Sequence, residues 1–327
     1  MSSSPTPRPI VCGLDNSYMA RPTVVTAANV AARLGTPVVL MYIADPSDPL
    51  TRRARTLGEA RDHAAGAVDR LVSPILSERG LEAEVEVEIG EPSAALVETA
   101  DRRDAQFLVI GSRGSGRGGG LLGNVSRRLV RQAPCPVIVV PRGAAAKPVT
   151  HPSLTRETRP VIVCGLDHDD RDQTLLFAID LAVRMQARLV FLHVYGAPVP
   201  PLPGVAAGEA AFEATLEAGR ERGKSLLEDA AGAAGDGGVP AVETRLTAGD
   251  PAHEMRAAAE AEKADLILVG NRGRGWLRSM LLGSVSSDLV SDASTPVAVL
   301  PASARIAPRS GHYEVLLQAG ADAVVAP

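Results

Sequence analysis

The residues best placed to do chemistry lie between Ala264 and Asp292, ADLILVGNRGRGWLRSMLLGSVSSDLVSD. Gly270 ends a continuous apolar run, Leu266-Ile267-Leu268-Val269, which reads as a parallel strand buried on both faces. A loop carrying Gly273 with Arg272, Arg274 and Arg278 follows. Gly283-Ser284-Val285-Ser286 then opens a segment with Val285, Leu289 and Val290 at helical spacing, the serines standing where an N-cap belongs. Strand, glycine loop and capped helix start together gather main-chain N–H groups at the positive end of a helix dipole. Such a concavity takes an anion, most often a phosphate, and the arginines favour the same ligand.

The stretch occurs twice. Phe107-Leu108-Val109-Ile110-Gly111 is followed by Ser112-Arg113-Gly114, a run of glycines, and then Gly123-Asn124-Val125-Ser126. VCGLD recurs at Val11–Asp15 and Val163–Asp167, and Gly-acid-Pro at Gly90–Pro92 and Gly249–Pro251. The offset between copies widens between these landmarks, which puts an insertion in the middle of the second copy, and widens by one residue more inside the glycine loop. The chain is a duplicated module.

The elements that must position these residues alternate. Ile10–Leu14 reads as a buried strand ending at Asp15, and a helix follows with Val24, Ala28, Ala31 and Leu34 on one face. Val38–Ile43 is a second strand, followed by a long polar helix from about Arg53 to Ser77. Val85, Val87 and Ile89 alternate with glutamates, the pattern of a half-exposed edge strand. Pro92 opens the next helix, the strand ending at Gly111 and a helix over Asn124–Gln132 come next, and Pro136–Pro141 brackets a last apolar strand. This alternation predicts an α/β protein of two tandem domains, each a five-stranded parallel sheet of Rossmann-like type wrapped on both faces. Ligands of such sheets bind beyond the carboxyl ends of the strands, where strand order reverses. If the first and fourth strands are neighbours, Asp15 and the Gly111 loop face one crevice. The expected domains are 1–141 and 160–301, with a linker at 142–159 and a tail at 302–327.

A length of 327 residues suits two domains, and a net charge of −4 with 3% aromatic residues excludes the basic excess and stacking platforms of nucleic-acid binding. Cys12, Cys135 and Cys164 have neither metal nor redox spacing and suit a reducing compartment. No apolar run approaches the ~20 residues that span a bilayer, and Met1–Pro9 has no signal-peptide core, so a cytoplasmic protein that does not enter the membrane is expected.

The combined pattern resembles the universal stress protein family in its tandem form. The second copy carries Gly270-x2-Gly273-x9-Gly283-Ser284 after the fourth strand, an aspartate, Asp167, ends its first strand, and the last strand is preceded in the first copy by Ala-Pro-Cys-Pro-Val. The first copy departs from the pattern: eight residues separate Gly114 from Gly123, and Asn124 replaces the hydroxyl residue. The resemblance implies an adenine-nucleotide alpha-hydrolase-like fold and ATP binding, with magnesium, in each intact module. By position it implies that Asp167 accepts from the adenine amino group while Leu166 and Val194 bracket the base. Val269, Gly270, Arg272 and Gly273 would line the ribose and phosphates, and Gly283, Ser284, Val285 and Ser286 would hold the phosphates. In the first copy the matching positions are Leu14, Asp15, Tyr42, Ile110, Gly111, Arg113, Gly114, Gly123, Asn124, Val125 and Ser126; Tyr42 is bulkier than Val194 and the loop is shorter. The glycines suit these roles because they let phosphate approach the main chain and make positive φ available.

Other readings compete for the same residues. Asp15 and Asp167 can cap the turn after the first strand. His168, Asp169, Asp170 and Asp172 can hold a magnesium ion or form a solvated loop. Ala197–Gly208, rich in proline and glycine, can be a lid or a passive surface loop, and Trp276 can shield the nucleotide or pack on a partner. Gly114-x-Gly116-x2-Gly119 matches a dinucleotide fingerprint but follows the fourth strand, and no Gly-x4-Gly-Lys-[Ser/Thr] exists. The expected partners are ATP and a protein still to be identified. The apolar strands at Pro136–Pro141 and Pro296–Pro301 need cover, most economically by facing each other as an internal pseudo-dimer, and two chains could pair again as a homodimer. A regulatory nucleotide-binding protein is the first reading. A slow ATPase or phosphotransferase at the same site and a nucleotide-independent scaffold are the alternatives.

Overall fold

The computed structural model describes residues 8–44, 56–113, 122–144, 159–168, 171–195, 206–270, 288–290 and 293–305. Along the first copy the chain forms β1 (Ile10–Leu14), α1 (Ala20–Leu34), β2 (Val38–Ala44), α2 (Leu57–Ser77), β3 (Ala83–Ile89), α3 (Pro92–Arg102), β4 (Phe107–Gly111), α4 (Asn124–Gln132) and β5 (Val137–Val140). The second copy gives β6 (Val161–Gly165), α5 (Arg171–Met185), β7 (Arg188–Tyr195), α6 (Ala206–Asp236), β8 (Ala241–Ala248), α7 (Pro251–Ala261), β9 (Leu266–Gly270) and β10 (Val297–Leu300). Ala206 to Gly208, expected at the end of a loop, are thus the first residues of a helix.

Two compact units result, and Val290–Arg305 falls in the first of them. In that unit the strands lie in the order β3-β2-β1-β4-β5-β10. The five strands of the first copy are parallel, and β10 runs antiparallel to β5, with Val297, Ala298 and Val299 opposite Val139, Ile138 and Val137. The apolar margin of β5 is thereby covered, its four residues fully buried. In the second unit the described strands lie in the order β9-β6-β7-β8, all parallel. The central strands are apolar on both faces because helices cover both, as in Ile10, Val11, Leu108 and Val109 of the first unit and Ile162, Val163, Ile267 and Leu268 of the second. Cys12 and Cys164 are buried fillers in this core.

Edge strands β3 and β8 are guarded by charge. Arg103 reaches Glu84 at 2.6 Å and also Glu86, which Arg102 meets at 3.1 Å. In the second unit Arg188 bonds Glu243 at 2.8 Å and Glu262 at 2.5 Å, and Arg245 pairs with the same Glu262. These surface pairs add little stability, but they leave an edge unattractive to another strand.

Local chemistry sets the helix starts. Thr56 caps α2 by accepting from the Glu59 amide at 3.1 Å, the Thr-x-x-Glu arrangement of a capping box. The repeated Gly-acid-Pro motif works alike in both copies: Glu91 accepts from the Ser93 and Ala94 amides at 3.2 and 2.8 Å, Asp250 from the His253 amide at 2.8 Å, and the proline takes the first helical position.

Candidate functional site

The first and fourth strands are neighbours in both units: β1 pairs with β4 (Cys12 opposite Val109), and β6 with β9 (Gly165 opposite Val269). The loop after the first strand and the glycine ending the fourth therefore share the carboxyl end of each sheet, at the point where strand order reverses.

In the first unit the crevice is described except for residues 114–121 of its glycine loop. Asp15, half-buried, accepts the Ser17 amide at 3.1 Å, while the Ser17 hydroxyl accepts the Met19 amide at 3.2 Å and its carbonyl the Ala20 amide at 3.1 Å. These nested turns deliver the chain into α1. Gly111 explains why the loop sits so close: a Cβ there would lie 3.0 Å from Cβ of Met19 and 3.4 Å from the Thr23 hydroxyl oxygen. Gly13 does the same for the other face of the sheet, where a Cβ would meet Leu96 at 2.9 Å and Ile110 at 3.3 Å.

Gly123 N-caps α4 with φ −64° and ψ 153°, and no side chain caps that helix. The loop leaving β4 is stitched at both ends: the Gly123 amide donates to the Ser112 carbonyl at 2.9 Å, the Ser112 amide to Val140 at 2.9 Å, and the buried Ser126 hydroxyl to the Gly111 carbonyl at 2.8 Å. The exposed Asn124 and the half-buried Val125 open α4, and Arg113 is half-buried at the start of the loop. Leu14 and Ile110 are buried, as is Tyr42, which at 2% exposure belongs to the core as the register partner of Leu14 on β2. Gly114 lies outside the described residues. The structure thus brings Asp15, Gly111, Arg113, Gly123, Asn124, Val125 and Ser126 to one end of the sheet. The Ser126 proton is already given to main chain.

In the second unit Leu166 is buried, its amide donating to Leu192 at 2.9 Å, and Asp167 stands exposed just beyond, accepting the His168 amide at 2.8 Å. Val194 is half-buried near the end of β7, Val269 is buried and Gly270 ends β9. Arg272, Gly273, Arg274, Trp276, Arg278, Gly283, Ser284, Val285 and Ser286 lie outside the described residues, as do Asp169, Asp170, the Asp172 side chain and residues 197–205. Among the described residues no His, Cys, Asp and Glu group could hold a metal ion. Neither Gly111 nor Gly270 uses positive φ. Gly111 provides space for the neighbouring helix start.

His193 was not singled out by its spacing, yet it is buried beneath this loop. Its Nδ1 lies 2.8 Å from the Leu166 carbonyl oxygen, its ring meets His168 edge-on at 5.5 Å, and a Cβ on Gly223 of α6 would fall 2.5 Å from its Cδ2. A lone histidine in an apolar strand carries no periodic signal. The Gly-acid-Pro acids were equally silent as caps. The Ser93 hydroxyl chiefly holds Glu91 below the usual carboxylate range, and the Ala94 and Ser93 amides and Arg128 add to it against the opposing pull of partial burial. Cys135 is buried rather than exposed between its prolines, and burial pushes its thiol up to about 12, which leaves no reactive thiolate.

The chain is similar to known proteins along most of its length. The universal stress protein family matches residues 7–141 and again 158–301. A universal stress protein of Mycolicibacterium smegmatis is 31% identical over 311 residues, 92% of this chain and 99% of its own. A solved universal stress protein of Archaeoglobus fulgidus covers 90% of this chain and 96% of its own with a TM-score of 0.55 at 17% identity, a likeness of fold. Another solved universal stress protein, in complex with cAMP, covers 41% of this chain and 97% of its own at 26% identity and a TM-score of 0.34. No described helix is long and apolar enough to cross a membrane. With two copies of the family's domain in tandem and a relative matched along nearly its whole length, this chain belongs to the universal stress protein family.

Proposed function

We propose that the chain is an ATP-binding regulator of stress physiology whose nucleotide state shifts a conformation or the affinity for a protein partner. Its domains would span 1–141 and 160–301, joined by 142–159 and followed by the 302–327 tail. The observation that supports this reading is repeated in both units: an aspartate follows the first strand by one or two residues, and that strand pairs with the fourth, which ends in glycine. An acceptor for an exocyclic amine and main-chain amides for phosphate are the two ends an adenine nucleotide needs.

The second domain is the better ATP site in this proposal, because its motif Gly270-x2-Gly273-x9-Gly283-Ser284 is complete. In the first, the loop is a residue shorter, Asn124 replaces the hydroxyl residue and the Ser126 hydroxyl is committed to Gly111. Magnesium would accompany the triphosphate, the cytoplasm would be the compartment, and the two domains would act as an internal pseudo-dimer able to pair again as a homodimer. Regulation is favoured over a slow ATPase or phosphotransferase because His193, the buried histidine at the second cleft, is bonded to a carbonyl beneath it rather than aimed at a phosphate. A nucleotide-independent scaffold would need neither aspartate.

Mass spectrometry of small molecules released from freshly purified protein tests the reading. ATP is expected from the wild type and is lost from Gly273→Val and Asp167→Ala variants. Protein that carries no nucleotide and shows no response to added ATP overturns it.

A further inference from the structure

Among the described residues Tyr18 is the one large apolar side chain left on the surface, 61% exposed. Both its chain neighbours build the first unit's crevice: the Ser17 amide bonds the Asp15 carboxylate, and Met19 is the residue packed on Gly111. Over the Tyr18 ring lies the Arg142 guanidinium, 5.5 Å from the centroid. Arg142 is exposed and follows β5 by two residues; Val140 of that strand is opposite Gly111 in register. Since β4 lies between β1 and β5, the Tyr18–Arg142 pair bridges the end of β4, above the Gly111 main chain.

The second copy has nothing of the kind at the matching positions. Counting from the paired aspartates, Tyr18 corresponds to Asp170, and counting from the closing prolines Pro141 and Pro301, Arg142 corresponds to Ala302. At these two positions the first copy has a ring and a cation, and the second has a carboxylate and a methyl.

We propose that Tyr18 and Arg142 form an anion-selecting rim of the first cleft: Arg142 takes the phosphate end of a nucleotide lodged by Asp15, and Tyr18 positions Arg142 by stacking. This rests on the nucleotide reading above. An exposed guanidinium held by a ring keeps its donors for a ligand, and its planar fork suits two phosphate oxygens at once. A nucleoside without phosphate would gain nothing from it. The first cleft therefore reads the charge of its ligand through a side-chain cation at a position where the second copy has Ala302.

The test is calorimetric titration of the full chain carrying Asp167→Ala and Gly273→Val, which together silence the base and phosphate ends of the second cleft, with ATP, adenosine and inorganic tripolyphosphate. Arg142→Gln is expected to weaken ATP and tripolyphosphate about 10-fold and leave adenosine unchanged. Tyr18→Ala should weaken ATP about 3-fold, and Tyr18→Phe should restore it. An unchanged ratio of ATP to adenosine affinity in Arg142→Gln overturns the rim while leaving the nucleotide reading intact. Arg142-dependent binding of tripolyphosphate without binding of ATP or adenosine supports the anion rim and ends the nucleotide reading of the first cleft. Binding of none of the three overturns the rim, and ATP titration of the wild type then decides the nucleotide reading of the second cleft.

Discussion

The two units resolve the same packing problem with different side chains at the end of the second strand. In the first, Met41 and Tyr42 of β2 are both buried and the Asp15 loop is held by its own serine and by Met19 against Gly111. In the second, register sets Leu192 opposite Gly165 as Met41 is opposite Gly13, so Leu192 and His193 stand at those places, and the loop is propped by the histidine bonded to the Leu166 carbonyl. The frame is common: parallel pairing of first and fourth strands, an aspartate past the first, a glycine ending the fourth. The supports of the loop have diverged. A duplicated fold can thus keep its strand pairing while each copy supports the loop after its first strand with different side chains.

The largest effect should come from the support peculiar to the second unit. Gly223→Ala places a methyl 2.5 Å from the His193 ring and 2.7 Å from Leu246. The ring is buried and tied to Leu166, so it has little room to move, and a loss of about 2–3 kcal/mol by denaturant unfolding is expected. A loss below half of that would mean that the histidine yields freely and is no prop.

Gly111→Ala is the matching break in the first unit. Its methyl would meet Cβ of Met19 at 3.0 Å, an atom fixed to the main chain, so α1 must shift for a cost of about 1–2 kcal/mol. ATP binding by the first cleft should fall with it. Gly165→Ala, by contrast, meets the Met255 thioether at 3.0 Å, which can swing aside, and should cost less than Gly111→Ala in the same assay.

The helix caps sharpen the comparison further. Asp250→Ala should cost about 1 kcal/mol of stability, since it removes the acceptor for the His253 amide. Its counterpart Glu91 adds a pH dependence. The folded-state pKa of Glu91 lies below the unfolded value, so its contribution is present above the ordinary carboxylate pKa and fades as pH falls through the folded one. The stability gap between wild type and Glu91→Gln should therefore shrink on acidification from neutral pH in paired urea titrations. A gap that widens toward acid would contradict the cap.

Much of this was legible in the sequence because it follows from periodicity and repetition. The continuous apolar runs marked strands buried on both faces, the Glu84–Glu86–Glu88 alternation marked an edge, and VCGLD with Gly-acid-Pro fixed the repeat. Strand register was less legible. An apolar strand between two prolines shows that it must be covered, and the expected facing of Pro136–Pro141 and Pro296–Pro301 is found; the register, Val297 opposite Val139, carries no side-chain code and needed three dimensions. The packing role of Gly111 was not legible for a related reason. A glycine in a ligand-binding motif and a glycine that lets Met19 pass look identical in one dimension. His193 was illegible because burial converts a polar outlier into a structural bond, and only the position of the Leu166 carbonyl says which carbonyl it meets.

Isothermal titration of ATP into the full chain, wild type against the double variant Asp15→Ala/Asp167→Ala, tests the pairing of aspartate and terminal glycine most directly. Saturable binding in the wild type that disappears in the double variant is the predicted result. Equal binding by the two proteins would contradict it, as would a wild type that binds no ATP at all.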